Sequence, residues 1–258
     1  MANDQPILKK RPVQILLVIL VLLVVGAGFA VYRIINRDTP DEVNQDAAVA
    51  VVSGGSDTTA SDGSTASGDS GSSEGIAGTW TVDTSIGEFN FEDATSSFVG
   101  FRIDEEFVGG VDTVAVGRTP TISGTLTIEG DTVTATELTA TLDDLTTNDS
   151  RRDRAARRAM NTGEFPDATF SLTSPIELGP GAASGDAIEA EATGDLTING
   201  VTQPATFSLT AQLVNNVVVV TGSTTVTFAD FGVETPTAPI VAALDDFGII
   251  EMQLFFTR

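Results

Sequence analysis

Along residues 187–209 the chain reads AIEAEATGDLTINGVTQPATFSL, an alternation of apolar and polar positions broken once by an Asn-Gly pair. Successive side chains of an extended chain point to opposite faces. Ile188, Ala190, Ala192, Leu196 and Ile198 therefore share one face, and Ala205, Phe207 and Leu209 resume it. Asn199-Gly200 tolerates the positive φ angles of a two-residue turn, which predicts an antiparallel hairpin with one greasy side. The same alternation recurs in Trp80 and Val82, in Val99, Phe101 and Ile103, in Val114 and Val116, and in Ile122, Leu126 and Ile128. Ala168, Phe170 and Leu172 form another strand after Pro166, and NNVVVVTGSTTVTF and IIEMQLFF supply the last two. The latter is apolar on both faces, which predicts a strand covered from outside as well as facing the interior. In TVTATELTATL the apolar phase moves from Val133 and Ala135 to Leu138, Ala140 and Leu142, predicting a β-bulge near Glu137.

Three segments depart from this pattern. NDSRRDRAARRAM places Ala155, Ala156, Ala159 and Met160 at helical spacing beneath a ridge of arginines. Asn148, Asp149 or Ser150 is available as a cap, so the segment predicts one short helix, ended by Asn161 and Gly163. Residues 13–32, VQILLVILVLLVVGAGFAVY, carry no charge and as a helix would span about 30 Å, the thickness of a bilayer's hydrocarbon. This predicts a transmembrane signal anchor after a short cytoplasmic N-terminus, residues 1–12. Lys9, Lys10 and Arg11 precede the run and Arg33 and Arg37 follow it, a balance that weakly favours a cytoplasmic N-terminus and export of the rest. The rival is a cleaved signal peptide, because Gly28-Phe29-Ala30 offers small residues for processing. Residues 33–75 are dominated by Ser, Gly, Thr, Asp and Ala, a composition that cannot offset its ordering entropy by burial, and predict a disordered linker. The domain proper is then 76–258.

Composition narrows the chemistry. The formal net charge is −23, there is no histidine and there is no cysteine. Disulfides, thiol catalysis and Cys-ligated zinc are excluded, and the commonest general base is missing. Adjacent carboxylates such as Glu105-Glu106, Asp143-Asp144 and Asp245-Asp246 read as solvated surface, because neighbours in a strand face opposite ways. Asp57, Asp62 and Asp69 lack the spacing of a calcium loop. So acidic a surface, with no broad basic stripe, makes nucleic acid an unsuitable partner. No catalytic residue, metal site or cofactor is expected.

TWTVD, SFVGFRIDEEF, AVGRTPTISGTLTI, SRRD followed by EFPDATFSL, GDLTINGVTQPATFSL, FADFGV and LDDFGIIEMQLFFTR follow one another in an order and spacing that resemble the YceI-like family of exported lipid-binding proteins, in its actinobacterial variant. The resemblance covers 78–258. It implies an all-β fold, an extended antiparallel lipocalin-like β-barrel whose interior holds a polyisoprenoid or similar long-chain lipid, the family's ligands including isoprenoid quinones, prenyl phosphates and fatty acid amides. Where many relatives have histidine in the hairpin, this chain has Asn199. The dominant apolar phase nominates Phe101, Ile103, Val116, Ile122, Leu126 and Phe170 as lipid-lining, together with Leu172, Leu196, Phe207, Leu209, Met252 and Leu254. Arg151, Arg152, Arg154, Arg157 and Arg158 would meet a pyrophosphate or anionic head group near the tunnel mouth, or pair with the protein's own carboxylates. Arg152-Asp153 is the pair most suited to a structural role. Two functions of different class follow: a membrane-anchored, extracytoplasmic lipid-binding protein, or a cell-envelope scaffold module with a filled barrel. Oligomeric state stays open, a dimer among the options.

Overall fold

A computed structural model describes residues 39–54, 75–235 and 241–258, all within the unit that runs from Thr39 to Arg258. In chain order its strands begin with β1 (Gly78–Val82), β2 (Phe98–Phe107), β3 (Val111–Thr119), β4 (Ile122–Glu129), β5 (Thr132–Thr141) and β6 (Thr146–Thr147). They continue with β7 (Asp167–Leu172), β8 (Ile176–Glu177), β9 (Ile188–Ile198), β10 (Val201–Val214), β11 (Val217–Thr227), β12 (Val241–Leu244) and β13 (Phe247–Thr257). Two helices, α1 (Gln45–Ser53) and α2 (Ser150–Ala159), complete it.

The Asn199-Gly200 corner has φ of 52° and 71°, both positive, and sets Ile198 opposite Val201 and Ile188 opposite Ala211. The predicted hairpin is therefore present in the predicted register. From it the sheet runs β1-β4-β5-β7-β9-β10-β11-β13, and β13 pairs back to β1. Eight antiparallel strands thus close on themselves, which removes the exposed edges an open sheet would present. Beyond the ring, β2 pairs with the first half of β13 and carries β3, β6 and β12, while β8 pairs with the start of β5.

Three expectations change. The bulge in β5 lies at Thr134, not near Glu137: Ala135 pairs with Thr127 and Val133 with Ile128, so Thr134 has no partner opposite. Ala135 is exposed, and a methyl is too small to fix the phase of a strand. The bulge turns Thr136 inward instead. Second, part of the expected linker is a helix. Asn44 caps α1 by accepting from the Ala47 N–H at 3.0 Å, and Gly54 ends it with φ of 75°. Ala48 is fully buried against Val217, Val219 and Phe255, flanked by Val49, Val51 and Val52. This helix covers the outward face of β11 and β13, which explains why β13 is apolar on both sides. A run of valines at helical spacing was hidden by the average composition around it. Of the other linker positions described, 39–44 and 54 flank this helix and Gly75 leads into the barrel, while the expected transmembrane helix lies outside the described residues. Among the described residues no helix is long and apolar enough to cross a membrane.

Third, the face of β3 that carries Val116 points outward. Val116 sits opposite Arg102, in a buried polar cluster with Arg118 and Glu251. Arg118 is fully buried and donates to Glu251 Oε1 at 3.1 Å, to the Asp41 carbonyl at 2.6 Å and to the Phe91 carbonyl at 3.1 Å. Its guanidinium lies 4.5 Å from the Phe98 ring centroid, and Arg102 donates to the Pro40 carbonyl at 2.9 Å. Burial pushes the Arg118 pKa down and Glu251 opposes the shift. Residues 40–41 thus close over two arginines that would otherwise be buried without enough partners.

Candidate functional site

The inward side chains do not fill the barrel evenly. At the end where β9 turns into β10, Ile122, Leu196, Ala140 and Phe231 are buried in one apolar cluster. Toward the opposite end, marked by the β4-β5 and β10-β11 turns, a hollow opens. It offers about 100 Å³ to the centre of a water-sized sphere, and about 920 Å³ of atom-free space with its open mouth included. A single water needs only roughly 10–15 Å³ on the first measure. Phe170 and Phe207 form the floor, their rings edge to face with centroids 5.2 Å apart. From Phe207 to Leu213 on β10 the hollow is roughly 15 Å deep, given about 3.4 Å per residue and the strand tilt of a barrel.

Twenty-five of the described residues line it, and all but Thr136, Asp186 and Gln212 are apolar. The floor residues are almost fully buried, whereas Ile188, Leu178 and Leu213 are half-buried and Asp186 is exposed, which places the mouth at that end. Of the residues nominated from the sequence, Leu126, Phe170, Leu172, Phe207, Leu209, Met252 and Leu254 line the hollow. Ile122 and Leu196 share its apolar cluster but lie in the packed end. Phe101 and Ile103 lie on the same face of β2 as Val99, on a strand beyond the ring, and Phe101 packs beside Gly117 and Leu145. Val116 faces the other way.

Sequence reasoning missed several lining residues. Ile128 and Ile188 were in phase and available, but Ile176 and Leu178 belong to a strand of two residues and the turn after it, too short for any periodicity to register. Thr136 was hidden by the bulge. Asp186 and Gln212 are polar, and only the loop geometry brings them to the mouth; Gln212 donates to the Gly185 carbonyl at 2.9 Å.

The arginine cluster is at the other end. β5 runs away from the mouth to Thr141, and α2 follows two turns later. Asp149 caps the helix, accepting from the Arg151 N–H at 2.8 Å. Asp153 accepts from the backbone and hydroxyl of Thr147 at 2.7 and 2.6 Å, and Arg152 donates to Glu105 and Asn148. The Arg152-Asp153 pair therefore docks the helix. Burial pushes the Glu105 pKa up, partly offset by Arg152. Arg157 donates to the Leu145 carbonyl at 3.0 Å, while Arg151, Arg154 and Arg158 are exposed. None of the five lines the hollow. Asn199, in the hairpin turn, donates to the Phe231 and Gly232 carbonyls at 3.2 and 3.1 Å, so it ties the packed end together.

This geometry defines a class: a lipocalin-like antiparallel β-barrel, packed at one end and hollow and apolar at the other. A model of the YceI-like domain matches residues 91–254, and the chain belongs to that family. Protein YceI of Escherichia coli O157:H7 is 33% identical over 115 residues, covering 43% of this chain and 54% of that protein. Protein YceI of Salmonella newport is 32% identical over the same length. The chain spans about half the length of the curated relatives it matches. Among solved structures, a polyisoprenoid binding domain from Saccharophagus degradans superposes with a TM-score of 0.50 at 14% identity, covering 69% of this chain and 97% of that one. BcnA of Burkholderia cenocepacia gives 0.47 at 20% identity, covering 62% and 95%. At these identities the likeness is one of fold.

Proposed function

We propose that this protein is a membrane-tethered, extracytoplasmic lipid-binding protein that holds the apolar chain of an isoprenoid or similar long-chain amphiphile for carriage, storage or sequestration. The observation that carries this reading is the hollow itself, open at one end and lined almost wholly by hydrocarbon. Burying a methylene from water contributes about 0.8 kcal/mol. A lipid that leaves a bilayer gives up the same solvation, so exchange between membrane and barrel is close to neutral and reversible. That suits uptake and release better than permanent storage. The polyisoprenoid-binding function of the Saccharophagus domain supports the choice of ligand class.

The tether in this reading is the uncharged run 13–32, with Lys9, Lys10 and Arg11 before it and Arg33 and Arg37 after it.

Native mass spectrometry of the purified chain tests the binding. A co-purifying hydrophobic adduct, or uptake of an added isoprenoid, is expected. A chain that stays ligand-free in both cases would favour the scaffold reading. Recovery of intact 1–37 peptides from the membrane fraction checks the anchor.

A further inference from the structure

The exposed arginines of α2 are the part of this acidic chain that the barrel and its hollow leave unused. We infer, given a membrane-tethered chain as proposed and whatever the hollow holds, that they form a docking surface for an anionic lipid bilayer. Docking sets the packed end of the barrel against the membrane and turns the mouth of the hollow away from it.

Residues 150–159 carry five arginines against one aspartate, in a chain of formal net charge −23. The five divide between two sides of the helix. Arg152 and Arg157 turn toward the body, where they donate to Glu105 and Asn148 and to the Leu145 carbonyl. Arg151, Arg154 and Arg158 follow one another at i, i+3 and i+7, a single stripe along the other side. All three are exposed, and among the described residues none of them makes an ion pair. Asp153, the one acid of the helix, is engaged by Thr147.

A second feature lies at the same end. β13 runs toward the mouth at Phe256, so its antiparallel neighbour β2 runs away from the mouth. The hairpin of β2 and β3 turns at Val108-Gly109-Gly110, with φ of 113° and 76° at the two glycines. Val108 stands three residues beyond Glu105, to which Arg152 ties α2, and is the most exposed large hydrophobic side chain among the described residues, at 68%. The exposed acids of the hairpin point the other way: Glu106 sits opposite Asp112, and Asp104 shares their face, whereas Glu105 alternates with them.

An apolar tip beside a row of unpaired guanidiniums suits a layer of anionic phosphates over hydrocarbon. A soluble polyanion fits less well, because it must approach a chain of net charge −23 from solution. A bilayer that already holds the chain needs only contacts within a Debye length, about 10 Å at 0.1 M salt. Each basic group near such a surface strengthens association about fivefold, and three together roughly a hundredfold. In the docked state, loading from the same membrane requires the barrel to lift, while transfer to an acceptor beyond it does not.

The chain has no cysteine, so Ser150→Cys, at an exposed position beside the stripe, carries a single fluorophore. The labelled full chain is placed in nanodiscs of phosphatidylcholine, or of an equal mixture with phosphatidylglycerol, each with a trace of lipid bearing a nitroxide on its head group as quencher. Quenching is expected to be at least about twofold stronger in the anionic discs and to fall to the phosphatidylcholine level at about 1 M salt, where the Debye length is about 3 Å. A label on Asp131→Cys, exposed at the mouth end, is expected to show no such difference. Arg151→Gln, Arg154→Gln and Arg158→Gln together should abolish it, and lysine at the same three positions should keep it. Equal quenching in the two discs, or a difference that survives the glutamine variant, would overturn the inference and leave the tethered lipid-binding reading standing. If the full chain is neither retained in the discs nor bound by phosphatidylglycerol vesicles, the tether and the docking surface fall together.

Discussion

Two phenylalanines and one glutamate carry consequences out of proportion to their size. Phe170 and Phe207 form the floor of the hollow, so on the lipid-binding reading their rings would set the length of chain accepted. Phe207→Ala is expected to lower stability by about 3–5 kcal/mol, as aromatic truncations in cores do. It should also shift preference toward longer prenyl chains, read by denaturant unfolding and a chain-length series in the same protein. Glu105 is a different case, because burial raises its pKa above the ordinary 4.5 and Arg152 only partly restores it. The folded state therefore favours the protonated form. Its contribution to stability is full below pH 4.5 and is lost as pH rises through the raised value. The difference in Tm between wild type and Glu105→Gln should accordingly grow from acidic to neutral pH, with the variant the less pH-sensitive of the two. Asp83 runs the opposite way: the Ser85 hydroxyl, first among its hydrogen-bond donors, lowers its pKa from 3.8. What it contributes is present above that value and lost on further acidification.

At the scale of elements, the N-terminal strap and the barrel depend on each other. The carbonyls of residues 40–41 accept from the half-buried Arg102 and the buried Arg118, and α1 covers Val219 and Phe255. Both precede the part of the chain that matches the family model, as does β1, which closes the ring. Ala48→Asp would place a charge where nothing is exposed. It is expected to cost about 2–4 kcal/mol and to reduce hydrogen-exchange protection along β11 and β13 first, while α2 keeps its protection. Uniform loss across the sheet would instead mean that the strap does not fold as a separable layer. α2, by contrast, has no fully buried residue and is held by named polar contacts. Its pattern was legible because alanines and arginines segregate on a helix face. α1 was not, because its valines sit in a stretch whose mean composition resembles linker.

For the whole molecule, the division into a packed end and a hollow end separates two features that a linear reading places together. The arginines of α2 and the mouth of the hollow are at opposite ends of the barrel, so Arg151→Gln, Arg154→Gln and Arg158→Gln together should leave affinity for an isoprenoid within about twofold. A larger loss, measured by native mass spectrometry with an added isoprenoid, would place the head group at the α2 end instead. Alternation and the Asn-Gly turn determined by themselves that this chain makes strands, how the central hairpin registers and which face is greasy, because period and turn chemistry act between near neighbours. Seven of the nominated residues line the hollow for the same reason. Tertiary structure alone decided where the interior is empty, that Val116 faces a buried arginine cluster, that a bulge brings Thr136 inside and that Asp186 lies at the entrance. Those depend on how strands from distant parts of the chain tilt and close, and a void is a property of side chains that fail to meet, which no single strand records.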